Sequence, residues 1–172
     1  MRRSILASLL FLVAVAPASA VDVPLAGDRA RLSDLRAQRR AQVISYSAAI
    51  DVSTLDPTVS GATLDLYSVT TGEQLTVALP ASVWQGPLPG RRFRFTGTGD
   101  PKMKILLVNG RLVRITLKGP GGYPLDGDPQ TAITARLTVG GTRFCMVFGG
   151  VVTKDDGKRF IARTAPPPPS SG

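Results

Sequence analysis

Between residues 42 and 163 the apolar side chains fall mostly at every second position, in runs broken by clusters of Gly, Pro, Asn and Asp. A period of two sends alternate side chains to opposite faces of an extended chain, whereas a helix needs a period near 3.6. The chain is therefore expected to be built from short strands. The runs cover residues 42–48, 62–69, 74–79, 91–95, 102–108, 112–118, 131–139, 142–148 and 159–163. Between them lie "DPT", "TTGE", "GPLPG", "GTGDP", "GPGGYPLDGDP" and "KDDGK", rich in the residues that turns demand. Short strands at this spacing predict an all-β fold, an antiparallel β-sandwich of jelly-roll or Ig-like type with about nine strands.

Three hairpins have a predictable register, because a one-residue slip turns every side chain to the wrong face. A two-residue turn at Gly140-Gly141 sets Val139 opposite Thr142, Leu137 opposite Phe144, Ala135 opposite Met146 and Ile133 opposite Phe148. A four-residue loop "TTGE" sets Leu66 opposite Val77 and Leu64 opposite Leu79. "NG" at Asn109-Gly110 invites a two-residue turn, but that would pair Ile105 with Arg114. A three-residue loop at 108–110 instead pairs Ile105 with Val113 and Met103 with Ile115, which keeps one face apolar. The expected core is Ile133, Leu137, Phe144, Met146, Phe148, Leu64, Leu66, Val77, Leu79, Ile105, Val113, Ile115, Phe93 and Phe95.

The first twenty residues, "MRRSILASLLFLVAVAPASA", carry Arg2 and Arg3, an apolar stretch from Ile5 to Val15 and the small-x-small end Ala18-Ser19-Ala20. This is the pattern of a cleaved signal peptide, so residues 1–20 are expected to be removed and the protein to be secreted or periplasmic. No later segment has the apolar length to span a membrane as a helix. Residues 21–164 are expected to form one domain, and 165–172, with "APPPPSSG", a disordered Pro/Ser-rich tail. Residues 28–40, "DRARLSDLRAQRR", fit either a short basic helix capped by Asp28 or an edge strand around 29–33.

Lys and Arg number 21 against 12 acidic residues, and losing Arg2 and Arg3 leaves 19, a net charge of +7. The arginines are spread out, with groups at Arg29, Arg31, Arg36, Arg39 and Arg40 and at Arg91, Arg92 and Arg94. Such an excess fits solvated charge that keeps a secreted protein soluble, and it also favours anionic partners such as lipopolysaccharide, acidic polysaccharide, another cell-surface component or released nucleic acid. Arg29, Arg31, Arg91, Arg92 and Arg94 are the candidate binding residues. In "RRFRF", strand alternation turns Phe93 and Phe95 away from Arg92 and Arg94. A nucleic-acid platform needs rings and charges on one exposed face, so that partner is not expected.

The chain has no histidine, which excludes Ser-His-Asp and Cys-His catalysis and the zinc and copper sites built on imidazole. Glu73 is the only glutamate and falls in a turn, leaving paired-carboxylate chemistry to aspartates. Asp126-Gly127-Asp128 and Asp155-Asp156-Gly157 resemble fragments of calcium loops without the later acidic ligand. Turn chemistry is the expected role of both. No catalytic residue, metal site or cofactor is expected. Trp84, the only tryptophan, is expected to plug an edge of the core. Cys145, the only cysteine, falls on the face opposite Phe144 and Met146, across from Arg136. With no second cysteine it is expected to be a structural thiol, or, if accessible, the site of an intermolecular disulfide.

"SGATLDLYSVTTGEQLTVALPASVWQG", "GRLVRITLKGPGGYPLD" and "GGTRFCMVFGGVVTKDDGKRFIARTAPPP" resemble segments of uncharacterised secreted β-modules of environmental proteobacteria, from about Gly61 to Pro168. The resemblance implies no activity or site residue. It implies a strand rather than a helix at 28–33. Relatives often carry further cysteines that could pair with the one in the "FC" strand, and this chain lacks them. The expected function is that of an exported, non-enzymatic structural, surface or binding module; the alternative is a carbohydrate- or polyanion-binding protein that uses its arginine-rich surface.

Overall fold

A computed structural model describes residues 20–35 and 38–169. The expected signal peptide lies outside the described residues except for Ala20, as do Arg36 in the basic segment and the last three residues of the tail.

All nine expected runs form strands, and four more join them. In chain order the strands are β1 (Val21–Leu25), β2 (Gly27–Leu35), β3 (Gln38–Tyr46), β4 (Ala62–Tyr67), β5 (Gln74–Leu79), β6 (Trp84–Leu88), β7 (Arg92–Gly97), β8 (Lys102–Val108), β9 (Leu112–Lys118), β10 (Ile133–Val139), β11 (Thr142–Phe148), β12 (Val151–Asp155) and β13 (Arg159–Ala165). One helical turn, α1 (Pro57–Ser60), is capped by the Asp56 side chain, which accepts from the Thr58 N–H. The helix alternative at 28–40 is overturned, and the strand found there is not an edge, because β2 lies between β13 and β3. Ala30 and Leu32 are buried while Arg29 and Arg31 are exposed, the period of a strand.

The strands form two sheets, one ordered β1-β11-β10-β4-β5 and the other β12-β13-β2-β3-β9-β8-β7-β6. All pairings are antiparallel except that of β1 with β11. β1 leads into β2 through Ala26 alone, so the chain passes from one sheet to the other almost without a loop. Gly27 makes the crossing possible: a Cβ there would run into the Val147 carbonyl oxygen of β11.

The core fills the space between the sheets. The five-stranded sheet contributes Leu64, Leu66, Ile133, Ala135, Leu137, Phe144, Met146 and Phe148, all fully buried. The eight-stranded sheet contributes Leu32, Val43, Phe93, Phe95, Met103, Ile105, Val113 and Ile115. Of the expected core only Val77, on the edge strand β5, is partly exposed. Trp84 is buried at the start of the edge strand β6, its ring 5.3 Å from that of Phe95.

The Gly140-Gly141 hairpin has the expected register. The other two are displaced by one residue in loop placement, in opposite directions. Leu66 faces Leu75 and Leu64 faces Val77, because Ser68 pairs with Glu73 and the four-residue loop is 69–72. Ser68 is drawn inward, its hydroxyl donating to the Gln130 carbonyl and accepting from the Thr71 N–H. In the β8–β9 hairpin Ile105 faces Ile115 and Met103 faces Leu117, around a three-residue loop at 109–111. Here a distant segment sets the turn: the Asn109 side chain accepts from the Val52 N–H at 2.8 Å, and the Gly110 N–H donates to the Ile50 carbonyl at 2.6 Å. Each displacement shifts partners by two residues and leaves every side chain on its expected face.

Candidate functional site

Apart from Ser45 on β3, the buried residues of the inward faces of both sheets are apolar, and most charged side chains of the sheets lie on their outward faces, which differ. On the five-stranded sheet the outward residues include Arg136 and Arg143 with Asp22 and Asp65. Arg143 pairs with Asp22 at 3.1 Å and Arg136 lies 4.9 Å over the Tyr67 ring. That face is balanced in charge.

The outward face of the eight-stranded sheet is not. It carries Arg159 and Arg163 on β13, Arg29 and Arg31 on β2, Arg40 on β3, Arg114 and Lys118 on β9, Lys102 and Lys104 on β8, and Arg92 and Arg94 on β7. All eleven are exposed, and no acidic residue occupies an outward position of these six strands. Among the described residues none of the eleven enters a salt bridge; the three that occur are Arg39–Asp34, Arg143–Asp22 and Lys154–Asp156.

Strand pairing lines these side chains up in rows across the sheet. One row reads Arg163, Arg29, Ile44, Arg114, Leu106, Arg94. The next reads Ile161, Arg31, Gln42, Thr116, Lys104, Thr96, and the third Arg159, Ser33, Arg40, Lys118, Lys102. Ile44 faces outward yet is 5% exposed; its register partners on either side are Arg29 and Arg114, residues whose aliphatic stems can cover apolar surface. Two hollows open on the middle row. One of about 410 Å³ is lined by Arg31, Arg40, Lys118 and Arg159, the other of about 520 Å³ by Arg94, Lys104, Leu106 and Arg114, and Gln42 and Thr116 belong to both.

Of the five arginines singled out in the sequence, Arg29, Arg31, Arg92 and Arg94 share this face. They are not one cluster, because β3, β9 and β8 separate β2 from β7, about 19 Å at the usual strand spacing. Arg91 stands apart: it precedes β7 with φ 47°, and lines a different hollow with Ser53, Asp56 and Pro87. The residues that join the two arginine pairs, above all Arg40, Arg114, Lys104 and Lys118, were not singled out. Their signal was present as basic-apolar alternation in "KMKI" and "RLVRITLK", but it becomes a site only once these strands share a sheet.

Of the acidic loop fragments, Asp156 serves its own turn, whereas Asp155 reaches across to the segment before β10. Asp155 accepts from the Gln130 and Thr131 N–H groups, and Asp156 from those of Lys158 and Arg159. Asp126 and Asp128 are exposed, and the Asp126 N–H donates to the Glu73 carboxylate. Among the described residues no group of three or more His, Cys, Asp or Glu is placed to hold a metal ion, and no helix is long and apolar enough to cross a membrane.

Cys145 lies across from Arg136, as expected, and is buried at 9% exposure. Asp22, Tyr67 and Arg136 surround it, and Pro168 and Pro169 of the tail line the same small hollow. Burial raises its thiol pKa above the ordinary value, Asp22 adds to this, and Arg136 and Arg143 pull against it.

Searches against protein-family models, curated proteins and solved structures found no match for the chain.

Proposed function

We propose that this protein is an exported, non-enzymatic β-sandwich module that binds an anionic polymer on the outward face of its eight-stranded sheet. The observation that carries the reading is the segregation of charge: eleven exposed cations share one face with no carboxylate among them, while the other outward face is balanced. Solubility alone is served by charges of both signs interspersed over the surface. A one-sign face repels itself, and a bound polyanion relieves that repulsion while releasing its own counterions. Arginine, eight of the eleven, adds a planar donor fork that suits carboxylate and sulfate groups. Export rests on the leader pattern of residues 1–20.

Heparin chromatography of the mature protein tests the binding. We expect retention at about 0.15 M salt, where charges separated by more than a Debye length are largely screened. The triple variant Arg40→Gln, Arg114→Gln, Lys118→Gln should elute at markedly lower salt. A control pair away from the face, Arg91→Gln and Arg111→Gln, should elute close to the wild type. Failure of the wild type to be retained at that salt, or equal losses from the triple variant and the control pair, would remove the reading.

A further inference from the structure

Within that basic face, we infer that the three rows form a trough for a single acidic polysaccharide chain, running across the strands with its acidic groups on two cationic rails and its hydroxyls on a polar floor. The inference rests on the polyanion reading above and adds a direction, a contact chemistry and a ligand class to it.

The rails follow from strand pairing. Arg163, Arg29, Arg114 and Arg94 stand on one side, and Arg159, Arg40, Lys118 and Lys102 on the other. On β13 and on β9 the two rails are four residues apart, about 13 Å along an extended strand. Between them the row is lower in charge. Its centre is Gln42 and Thr116, with Thr96 and Ile161 at the ends and Arg31 and Lys104 between. Gln42 and Thr116 are half-buried and their side chains donate no hydrogen bond among the described residues, and both hollows meet at them. Six strands set the trough length at about 24 Å, room for several sugar units of one extended chain.

The floor decides the ligand class. A single-stranded nucleic acid needs exposed rings on which its bases stack. Phe93 and Phe95 of this sheet face inward and are buried, and Tyr46, its one outward ring on β3, lies beyond the Arg29–Ile44–Arg114 rail. An amide and hydroxyls instead offer donors and acceptors to sugar hydroxyls. A glycan that bears carboxylate or sulfate groups uses both the rails and the floor.

Fluorescence titration of the mature protein with a heparin octasaccharide, at graded salt, tests the trough. Gln42→Ala and Thr116→Val should each weaken binding several-fold with the salt dependence unchanged, whereas Arg114→Gln and Lys118→Gln should reduce the salt dependence itself. Gln42→Glu, which keeps the side-chain length on the outward face of β3, should weaken binding more than Gln42→Ala by placing an anion between the rails. An oligothymidylate of matched charge should bind more weakly than the octasaccharide. Floor variants that bind like the wild type, or an oligothymidylate that binds as tightly as the glycan, would overturn the trough and leave general polyanion binding standing. Absence of octasaccharide binding by the wild type would overturn both.

Discussion

Cys145 shows how neighbours decide a residue's chemistry. Two arginines flank it in the sheet, a setting that alone would favour a thiolate. Burial and Asp22 win, and the thiol is held in its protonated form beyond the ordinary range. We expect the native protein to react slowly with a thiol reagent at neutral pH. Cys145→Ser should fold, lose modest stability and keep its oligomeric state; rapid labelling, or a disulfide dimer on a non-reducing gel that the serine variant lacks, would contradict this. Leu137 is the opposite kind of residue, with no chemistry and a large share of the packing. It is fully buried at the centre of the five-stranded sheet, facing Phe144 on one side and Leu64 on the other. Leu137→Ala should cost about 2–5 kcal/mol, the usual range for a buried leucine whose cavity closes only in part, measured by denaturant unfolding.

At the scale of elements, what the sequence made legible depended on whether a strand follows the period-two rule by itself. β10 and β11 do, and a two-glycine turn joins them, so their register is readable residue by residue. β1 contains Pro24, which only an edge strand tolerates, and β6 contains Gly86-Pro87 and a register break after Gln85. β12 has adjacent valines and a bulge between Val152 and Lys154. None of the three alternates, and each is the edge of a sheet. Loop placement was illegible for another reason: Gln130 and Ile50, both remote in sequence, reach in and fix the β4–β5 and β8–β9 turns.

The β12–β13 turn carries an element-scale prediction. Hydrogen bonding from the Lys154 side chain, then from the backbone of Lys158 and Arg159, lowers the Asp156 pKa from 3.8 to about 2. A depressed carboxylate contributes stability that is fully present above its ordinary pKa and is lost as the pH falls through the folded value. Asp156→Asn should therefore be less stable than the wild type at neutral pH, and the difference should fade between about pH 4 and pH 2. A carboxyl titration by NMR should place the midpoint near the lower limit; a midpoint near 4 would mean that these hydrogen bonds do not hold the turn in solution.

The whole molecule is organised by an asymmetry that no single segment reveals. Basic residues alternate with apolar ones in β2, β7, β8, β9 and β13, β3 adds Arg40, and strand order gathers all six onto one sheet. From sequence, the arginines at 29–31 and 92–94 read as two distant groups. The intervening cations on β3, β9 and β8 turn them into one surface.

Amide shift mapping of the isotope-labelled mature protein, titrated with a heparin octasaccharide, reads that surface directly. Shifts should concentrate on β13, β2, β3, β9, β8 and β7, with the largest near Gln42 and Thr116, and leave β1, β11, β10 and β4 unmoved. Shifts centred on the five-stranded sheet, or none on either sheet at saturating ligand, would contradict the assignment of the basic face as the binding surface.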